Sequence, residues 1–260
     1  MLRRELHEFL TALMFFTRIP CPSWVDHSPE ILNRARKYFP FIGWIVGGLA
    51  ALFLWFAALV LPLSVAVLLS TIASVWVTGA FHEDGFADVC DGFGGGYTRE
   101  AILRIMKDSR VGAFGMLGMV LLLLLKLALL WELARMDVLL AVAALVSAHS
   151  LSRFVASTFV QTHDYVQDLD QSKVKPIAND RLSAGAMLYS GAWAVLPLGL
   201  FASPWALALI PVAFLPKAYL GPFFKRHIGG YTGDCLGAAQ QVSEAAMYLG
   251  VYLVWTWAGP

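Results

Sequence analysis

Charged residues are scarce in this sequence, and the charges nearly cancel. Asp, Glu, Lys and Arg make up 14% of the 260 residues, and 58% are hydrophobic; soluble domains average roughly 25% charged residues. The net charge of +1 offers no general attraction to a polyanion, so we predict no nucleic-acid partner. The three cysteines, Cys21, Cys90 and Cys235, have no paired spacing and indicate neither a disulfide framework nor a zinc site.

Long apolar runs are present instead, and they recur at the length that crosses a bilayer. A helix needs roughly 20 apolar residues to span the hydrocarbon core. We therefore predict an all-α polytopic membrane protein, a single domain over residues 1–260 with about seven transmembrane helices. A large soluble helical protein is the alternative, but it would not repeat uncharged runs of this length. The predicted spans are about 41–60, 64–80, 112–131, 138–160, 186–201, 205–221 and 239–257.

The basic residues lie on one side of this arrangement. Sixteen of the nineteen Lys and Arg residues fall in the segments 1–40, 81–111, 161–185 and 217–240. The positive-inside rule makes these segments, and with them the N-terminus, cytoplasmic. We expect residues 1–40 to be a cytoplasmic or interfacial segment that begins with an amphipathic helix. Residues 41–260 are then a transmembrane bundle with active-site loops at 81–111, 161–185 and 222–240.

Three ionisable residues interrupt the predicted spans. Charged groups at membrane depth are costly and usually functional. Lys126 lies near the outer end of its span, so we expect its side chain to snorkel to the interface. Arg153 and Glu244 are candidates for function, with a structural ion pair as the alternative for each.

Carboxylates are concentrated after the second span, in the stretch FHEDGFADVCDGFGGG at 81–96. Asp84, Asp88 and Asp91 have the spacing i, i+4, i+7, which places them on one helix face, with Glu83 about a quarter turn aside. Because like charges at this spacing repel, something positive must compensate. Oxygen ligands suit Mg²⁺, and we predict that these four residues bind it, with a solvated acidic helix end as the alternative.

Glycines and cations follow the acidic stretch. Gly94, Gly95 and Gly96 are predicted to end the helix and to let backbone N–H groups approach an anion; a flexible turn is the plainer explanation. Cations of the next segment suit phosphate oxygens, although lipid headgroups would attract them too. Metal-binding carboxylates followed by cations predict a phosphoryl-transfer site. The remaining candidate substrate-binding residues are Arg104, Lys107, Arg110, Arg153, Lys173, Lys175, Thr232, Gln240 and Gln241.

Two further carboxylates are candidates for catalysis. Asp108 lies in KDSR, and Asp234 lies between glycines in GGYTGDCLGAAQQ, where it is either a helix N-cap or a second contact to metal or substrate. Either one would orient or deprotonate an attacking hydroxyl, or join a second metal ion. The sequence does not choose between them.

Several of these strings resemble a known family. FHEDGFADVCDGFGGG, RIMKDSRVGAFG, SKVKPIA and GGYTGDCLGAAQQ, together with FFTRIP near the N-terminus, are similar to the cobalamin (5′-phosphate) synthases, also called adenosylcobinamide-GDP ribazoletransferases. The resemblance covers most of the chain, and the first string is the most specific. A more distant resemblance is to the CDP-alcohol phosphotransferases, of whose pattern only the start, DVCDG at 88–92, is present.

The resemblance to the cobalamin (5′-phosphate) synthases implies a reaction and a cellular location. Adenosylcobinamide-GDP reacts with α-ribazole or its 5′-phosphate, GMP leaves, and the nucleotide loop of cobalamin is joined. It further implies Mg²⁺ as cofactor and a multi-pass protein of the bacterial inner membrane with its active site on the cytoplasmic face. The roles carried over are metal binding by the four acidic residues of 83–91 and phosphate binding by Lys107, Arg110, Lys173 and Lys175. The sequence leaves the oligomeric state open, a homo-oligomer included.

Two other functions remain open on sequence grounds. A membrane prenyltransferase would use two Asp-rich motifs, and Asp164, Asp168 and Asp170 resemble a second one. A transporter for a divalent cation or a corrinoid would need polar residues along several spans, and the spans hold few.

Overall fold

The described part of the chain is almost entirely helical. The computed structural model describes residues 2–26, 28–166 and 181–259, and 83% of these residues are in helices. In chain order the α-helices are α1 (Leu2–Phe16), α2 (Pro29–Ala35), α3 (Phe39–Ala58), α4 (Leu63–Thr78), α5 (Phe81–Gly95), α6 (Arg99–Met106), α7 (Ala113–Met136), α8 (Val138–Thr162), α9 (Ala184–Val195), α10 (Leu209–Ile228) and α11 (Gly233–Trp257). Short 3₁₀ helices at Leu196–Phe201 and Pro204–Ala208 extend α9 and precede α10.

Helices of membrane-spanning length account for most of the fold. Within the described ranges, five segments are long and apolar enough: Pro29–Ala58, Ala113–Met136, Val138–Thr162, Ala184–Phe201 and Pro204–Ile228. Counting α4 and α5 as one span, although they are bent by 89°, gives a sixth. These findings confirm an all-helical protein with several apolar helices. The number seven and the cytoplasmic N-terminus stay predictions.

The last predicted span differs from the others in polarity. Residues 239–257 do form a helix, as part of α11, but α11 is not among the helices apolar enough to pass as a span. Gln240, Gln241 and Glu244 lie in its first half and are all buried. The helix is polar because that half faces other helices of the protein.

α8 lies at the centre of the bundle, and α3 approaches it closely through glycines. A Cβ atom on Gly43 would lie 2.6 Å from the carbonyl carbon of His149, and one on Gly47 would lie 2.8 Å from the carbonyl oxygen of Leu145. Small residues at a helix crossing let two backbones approach, which is how helices associate within membranes. α3 therefore fixes the position of α8.

The Gly43→Ala substitution is expected to destabilise the protein by disrupting this crossing. The added methyl group would meet backbone atoms of α8, which cannot rotate away as a side chain can. Gly48→Ala, on the same helix, is the matched control, because a Cβ there has no neighbour within 4 Å among the described residues. Thermal unfolding in detergent should show a lower melting temperature for Gly43→Ala only; equal melting temperatures would contradict this packing.

A tight corner turns the chain from α4 into α5. Gly79 and Ala80 both have left-handed backbone conformations, with φ of 67° and 60°. Ala80 is strained there, because a residue with a Cβ atom rarely adopts positive φ. The N–H of Arg18 donates to the carbonyl of Val77 just before the corner, at 2.7 Å. The corner turns α5 by 89° away from the direction of α4.

The N-terminal helix supports this corner. Leu13 and Phe16 of α1 lie in one apolar cluster with Ile42 of α3. The Phe16 ring also stacks on the His82 ring of α5, with centroids 5.5 Å apart and planes 6° apart. The predicted N-terminal helix is confirmed, and its contact with the bilayer stays a prediction.

Candidate active site

α5 and α11 cross closely where each carries a glycine. A Cβ atom on Gly85 would lie 3.0 Å from the Cα atom of Asp234, and one on Gly237 would lie 3.0 Å from the carbonyl oxygen of His82. Neither position has room for a larger side chain. The crossing brings Asp84 and Asp88 of α5 to the first turn of α11, where Asp234 lies.

Asp84, Asp88 and Asp234 form what we call the carboxylate cluster. Asp234 lies outside every candidate span, and Asp84 and Asp88 lie on α5, beyond the 89° corner that ends the apolar α4. Burial, with the charges of Asp234, Asp84 and Asp91, raises the pKa of Asp88 to about 7. Burial raises the pKa of Asp234 to about 6, and the charge of Asp84 adds to this shift. Burial contributes most to each shift, and the negative charges that face one another add to it. A cation near these carboxylates would therefore be stabilised.

The donor set of the carboxylate cluster fits Mg²⁺. Among the described residues, no group of three or more His, Cys, Asp or Glu side chains is placed to hold a metal ion by itself. Mg²⁺ does not require one, because it is usually held by one or two carboxylates and completes its shell with water and substrate phosphates. Asp84 is exposed and Asp88 is half-buried. Asp84 and Asp88, faced by Asp234, are therefore the residues that would hold the ion.

Asp91, the third acidic residue of the predicted face, already has hydrogen-bond partners. One carboxylate oxygen accepts from the backbone N–H of Gly112 at 2.7 Å, and the other accepts from that of Gly115 at 2.8 Å. Asp91 thus caps the start of α7, where a negative charge also interacts favourably with the helix dipole. Its predicted metal-binding role stays untested, and that role would compete with these two bonds.

Glu83, the fourth predicted ligand, faces the interior of the bundle. Its side chain is buried, and its Oε1 atom accepts from Gln241 Nε2 at 3.0 Å. Its Oε2 atom has no hydrogen-bond partner among the described residues. The quarter turn that separates Glu83 from Asp84 therefore places the two carboxylates in different environments.

A network of buried polar side chains adjoins the carboxylate cluster at Glu83, and we call it the interior network. At its centre, Glu244 pairs with Lys126 at 2.6 Å and accepts from the hydroxyl group of Tyr248 at 2.9 Å. Gln240 links Glu244 to Ser152 of α8, each at 2.9 Å. Its members are Glu83, Lys126, His149, Ser152, Arg153, Gln240, Gln241, Glu244 and Tyr248.

The expectation that Lys126 snorkels to the interface is wrong. Its side chain is 3% exposed, and its Nζ atom bonds to Gln241 at 3.0 Å and pairs with Glu244. An ion pair inside the bundle satisfies the ammonium group, so it does not need to reach water. The alternative of a structural ion pair is thus confirmed for Glu244.

Arg153 is also inside the bundle, on α8. Its guanidinium group donates to the carbonyl oxygen of His149 at 2.8 Å and lies 3.1 Å from Nδ1 of that residue. Arg153, Gln240 and Gln241 are all 2% exposed or less. Their predicted substrate-binding roles stay predictions; the contacts described for them are with other members of the interior network.

α6 packs against the glycine-rich end of α5. α5 ends at Gly95, as predicted, and a Cβ atom on Gly94 or Gly96 would collide with Phe114 or Ile102. The glycines thus have a packing role besides the predicted anion contact, which stays untested. Arg104 and Lys107 are exposed at the end of α6.

Asp108 differs from Asp234 in its surroundings. Asp108 forms an exposed ion pair with Arg110 at 2.7 Å, and this hydrogen bond lowers the pKa of Asp108 to about 2. Asp234 instead faces Asp84 and Asp88. Of the two predicted catalytic carboxylates, Asp234 is the one that the fold brings to the carboxylate cluster.

The turn before α11 is held by backbone and side-chain bonds. The N–H of Tyr231 donates to the carbonyl of Asp164 at 3.0 Å, and the N–H of Val166 donates to the carbonyl of Tyr231 at 2.9 Å. Thr232, predicted to bind substrate, is the N-cap of α11 and accepts from the N–H of Cys235. The predicted phosphate ligands Lys173 and Lys175 lie outside the described residues.

Sequence reasoning missed His149 and Tyr248 as members of the interior network. A signal for His149 is present, because the run SAHSLSR at 147–153 is polar within a predicted span. Tyr248 carries no comparable signal, since tyrosine is common in membrane helices near an interface. The hydrogen bond from its hydroxyl group to Glu244 is evident only in the folded structure.

Comparison with known proteins identifies the family. The model of the cobalamin-5-phosphate synthase family matches residues 8–252. The chain is 49% identical to the adenosylcobinamide-GDP ribazoletransferase of Shewanella frigidimarina over 256 residues, which is 96% of each chain. It is 46% identical to the proteins of the same name from Leptothrix cholodnii, over 97% of each chain, and from Ralstonia nicotianae, over 98% of each.

No solved structure matches the chain. The family match extends from α1 to the last turns of α11, and so includes the carboxylate cluster, the interior network and all of the spans. The relatives match over almost their entire length. The chain belongs to the cobalamin-5-phosphate synthase family.

Proposed function

We propose that this chain is a Mg²⁺-dependent transferase that joins adenosylcobinamide-GDP to α-ribazole, or to its 5′-phosphate, and releases GMP. Membership in a family whose named relatives are adenosylcobinamide-GDP ribazoletransferases supports the reaction. The observation that carries the proposed site is the approach of Asp84 and Asp88 to Asp234 at the crossing of α5 and α11.

The proposed transfer is a displacement at phosphorus. The ribazole hydroxyl oxygen forms a bond to the corrinoid-side phosphorus, the bond from that phosphorus to the bridging oxygen breaks, and GMP leaves with the electron pair. Mg²⁺ bound to the substrate diphosphate would neutralise the charge that develops on the departing oxygen. Asp234 takes the proton of the attacking hydroxyl, for which a pKa of about 6 suits it near neutral pH.

Cations near the carboxylate cluster would hold the transferred group. Lys107 and Arg110 follow α6, which packs on α5, and their side chains are exposed. Charge-assisted hydrogen bonds from such groups to phosphate oxygens are stronger than neutral ones. Since the basic loops are predicted to be cytoplasmic, we place the site on the cytoplasmic face of the bacterial inner membrane.

Purified protein supplied with adenosylcobinamide-GDP and α-ribazole 5′-phosphate is expected to release GMP and to form the joined cobalamin product in equal amounts. EDTA should stop the reaction, and added Mg²⁺ should restore it, because the charges described around Asp88 are all negative and need a cation to hold the substrate diphosphate. Chromatography of the nucleotide and corrinoid products measures both. Heat-denatured protein is the control for spontaneous hydrolysis.

Other results of this assay would indicate a different function. If folded protein releases no GMP with any divalent cation, the transferase assignment fails. Release of pyrophosphate from a prenyl diphosphate would then support the prenyltransferase alternative. Uptake of corrinoid into sealed vesicles without a covalent product would support a transporter.

A further inference from the structure

A cavity with a basic lining lies apart from the carboxylate cluster. Its volume is about 440 Å³, and α1, α2 and the start of α9 form its walls. Pockets of roughly this size hold small ligands. We call it the basic pocket. Five of its lining residues are cationic: Arg4, Arg34, Arg36, Lys37 and Arg181.

Among the described residues, the cations of the basic pocket outnumber its carboxylates. Against the five cations, the lining holds two carboxylates, Glu8 and Glu30. Glu5 adds a third at the rim, where it pairs with Lys37 at 2.7 Å. Among these described residues the cations are in the majority, which suits an anion such as a phosphate monoester, whose charge is about −1.5 to −2 at neutral pH.

One buried carboxylate holds three of the cations in place. The side chain of Glu8 is 2% exposed and pairs with Arg4 at 2.9 Å, Arg34 at 3.2 Å and Lys37 at 2.8 Å. These ion pairs fix cations that would otherwise move freely in solvent. A site whose groups are held in advance loses less conformational entropy when it binds.

The start of α9 adds backbone donors to the same pocket. Ser183 is the N-cap of this 12-residue helix, and Ser183 and Ala186 both line the cavity. The first turn of a helix offers free N–H groups and the positive end of the helix dipole, which favour an anion. The exposed guanidinium group of Arg181 precedes this turn.

The basic pocket is electrostatically connected to the proposed active site. Arg36 lines the pocket and is 1% exposed. Burial raises the pKa of Tyr231 to about 12, and the charge of Arg36 opposes this shift, so the two residues lie near each other. Tyr231 immediately precedes Thr232, the N-cap of α11, whose first turn carries Asp234. Arg36 therefore links the basic pocket electrostatically to the turn that precedes α11.

We propose that the basic pocket binds a phosphate monoester group, and that its source is the phosphorylated acceptor of the transfer reaction. This source rests on the proposed function. The headgroup of phosphatidic acid is also a phosphate monoester at a membrane face, so the experiment separates the two sources. The pocket would thus make the protein discriminate between an acceptor that carries a phosphate and one that does not.

The test removes two exposed cations of the pocket. In the Arg34→Gln/Arg181→Gln variant we expect the KM for α-ribazole 5′-phosphate to rise by about tenfold or more, because charge-assisted bonds to phosphate are lost. The kcat, and the KM for unphosphorylated α-ribazole, should stay within about twofold. Arg3→Gln is the matched control, since Arg3 is exposed on α1 but does not line the pocket.

A binding measurement keeps this inference separable from the proposed function. Calorimetric titration with α-ribazole 5′-phosphate, without a corrinoid substrate, should show weaker binding to the double variant than to the Arg3→Gln control. If wild-type protein has no transferase activity but shows this difference, the proposed function fails and the pocket stands. Normal GMP release, with unchanged binding and unchanged KM in the double variant, would overturn the phosphate-binding role of the basic pocket and leave the proposed function intact.

The lipid source is tested in nanodiscs made of phosphatidylcholine with or without phosphatidic acid. If the double variant loses a stabilisation by phosphatidic acid and keeps its KM for the acceptor, the pocket binds a phosphate group of lipid instead. An equal rise in KM for both acceptors would overturn phosphate recognition, because it would indicate a general distortion of the site.

Discussion

The Asp88→Asn substitution is expected to lower the rate of GMP release by about a hundredfold or more. The amide keeps the size of the carboxylate but removes the negative charge through which Asp88 would hold Mg²⁺. Loss of one group that stabilises charge in a transition state commonly costs on the order of 10²–10³ in rate. Single-turnover assays with saturating adenosylcobinamide-GDP measure the effect at varied Mg²⁺ concentration. The residual rate should require more Mg²⁺ than the wild-type rate.

Asp91→Asn is the matched comparison on the same helix. Because both oxygens of Asp91 accept from backbone N–H groups at the start of α7, the amide removes one acceptor there. Its main effect should be a lower melting temperature, as for a lost helix cap, with a smaller effect on the Mg²⁺ requirement. Full activity of Asp88→Asn would place the metal elsewhere, and a greater loss of Mg²⁺ affinity in Asp91→Asn would reverse the two assignments.

The contrast between Asp88 and Asp91 illustrates what a sequence pattern predicts about a site. The spacing of the acidic residues predicts their common helix face, because helix periodicity is a local property. The partner of each residue is not local. The N–H groups that donate to Asp91 belong to Gly112 and Gly115, which follow α6 in the chain. Asp234 comes close to Asp88 only because α5 crosses α11.

The fold shows the same division between local and distant information. Apolar runs predict α3, α7, α8 and α10 as helices of spanning length, because composition alone determines that property. The 89° corner between α4 and α5 has no such signal; Ala80 adopts a conformation there that its residue type disfavours. The polarity of α11 is likewise explained only when its partners, such as Lys126 on α7, are known.

The interior network explains why the sequence alone predicts the wrong position for the Lys126 side chain. Lys126 and Glu244 lie more than a hundred residues apart, so the sequence position of one does not indicate that the other is its partner. An unpaired ammonium group in a span has to reach the interface, whereas a paired one can stay inside. The ion pair also holds α7 against α11, and Gln241 joins Lys126 to Glu83 beside the carboxylate cluster.

Lys126→Met is expected to destabilise the protein by about 3–5 kcal/mol. The substitution leaves the buried carboxylate of Glu244 without its cation, and removal of one partner of a buried ion pair typically has a cost of this size. The free energy of unfolding, measured in mixed detergent micelles, checks the value. Arg135→Met is the control on the same helix: its pair with Glu132 is exposed, and such surface pairs contribute at most about 1 kcal/mol.

The double variant Lys126→Met/Glu244→Gln distinguishes an ion pair from simple loss of packing. Since the amide that replaces the Glu244 carboxylate carries no charge, the double variant should recover about half or more of the stability lost in Lys126→Met, and a double-mutant cycle measures this coupling. Additive losses would mean that the two residues pack independently. A Lys126→Met protein as stable as the Arg135→Met control would mean that Glu244 is not a buried charge, and the interior network would then be a set of neutral hydrogen bonds.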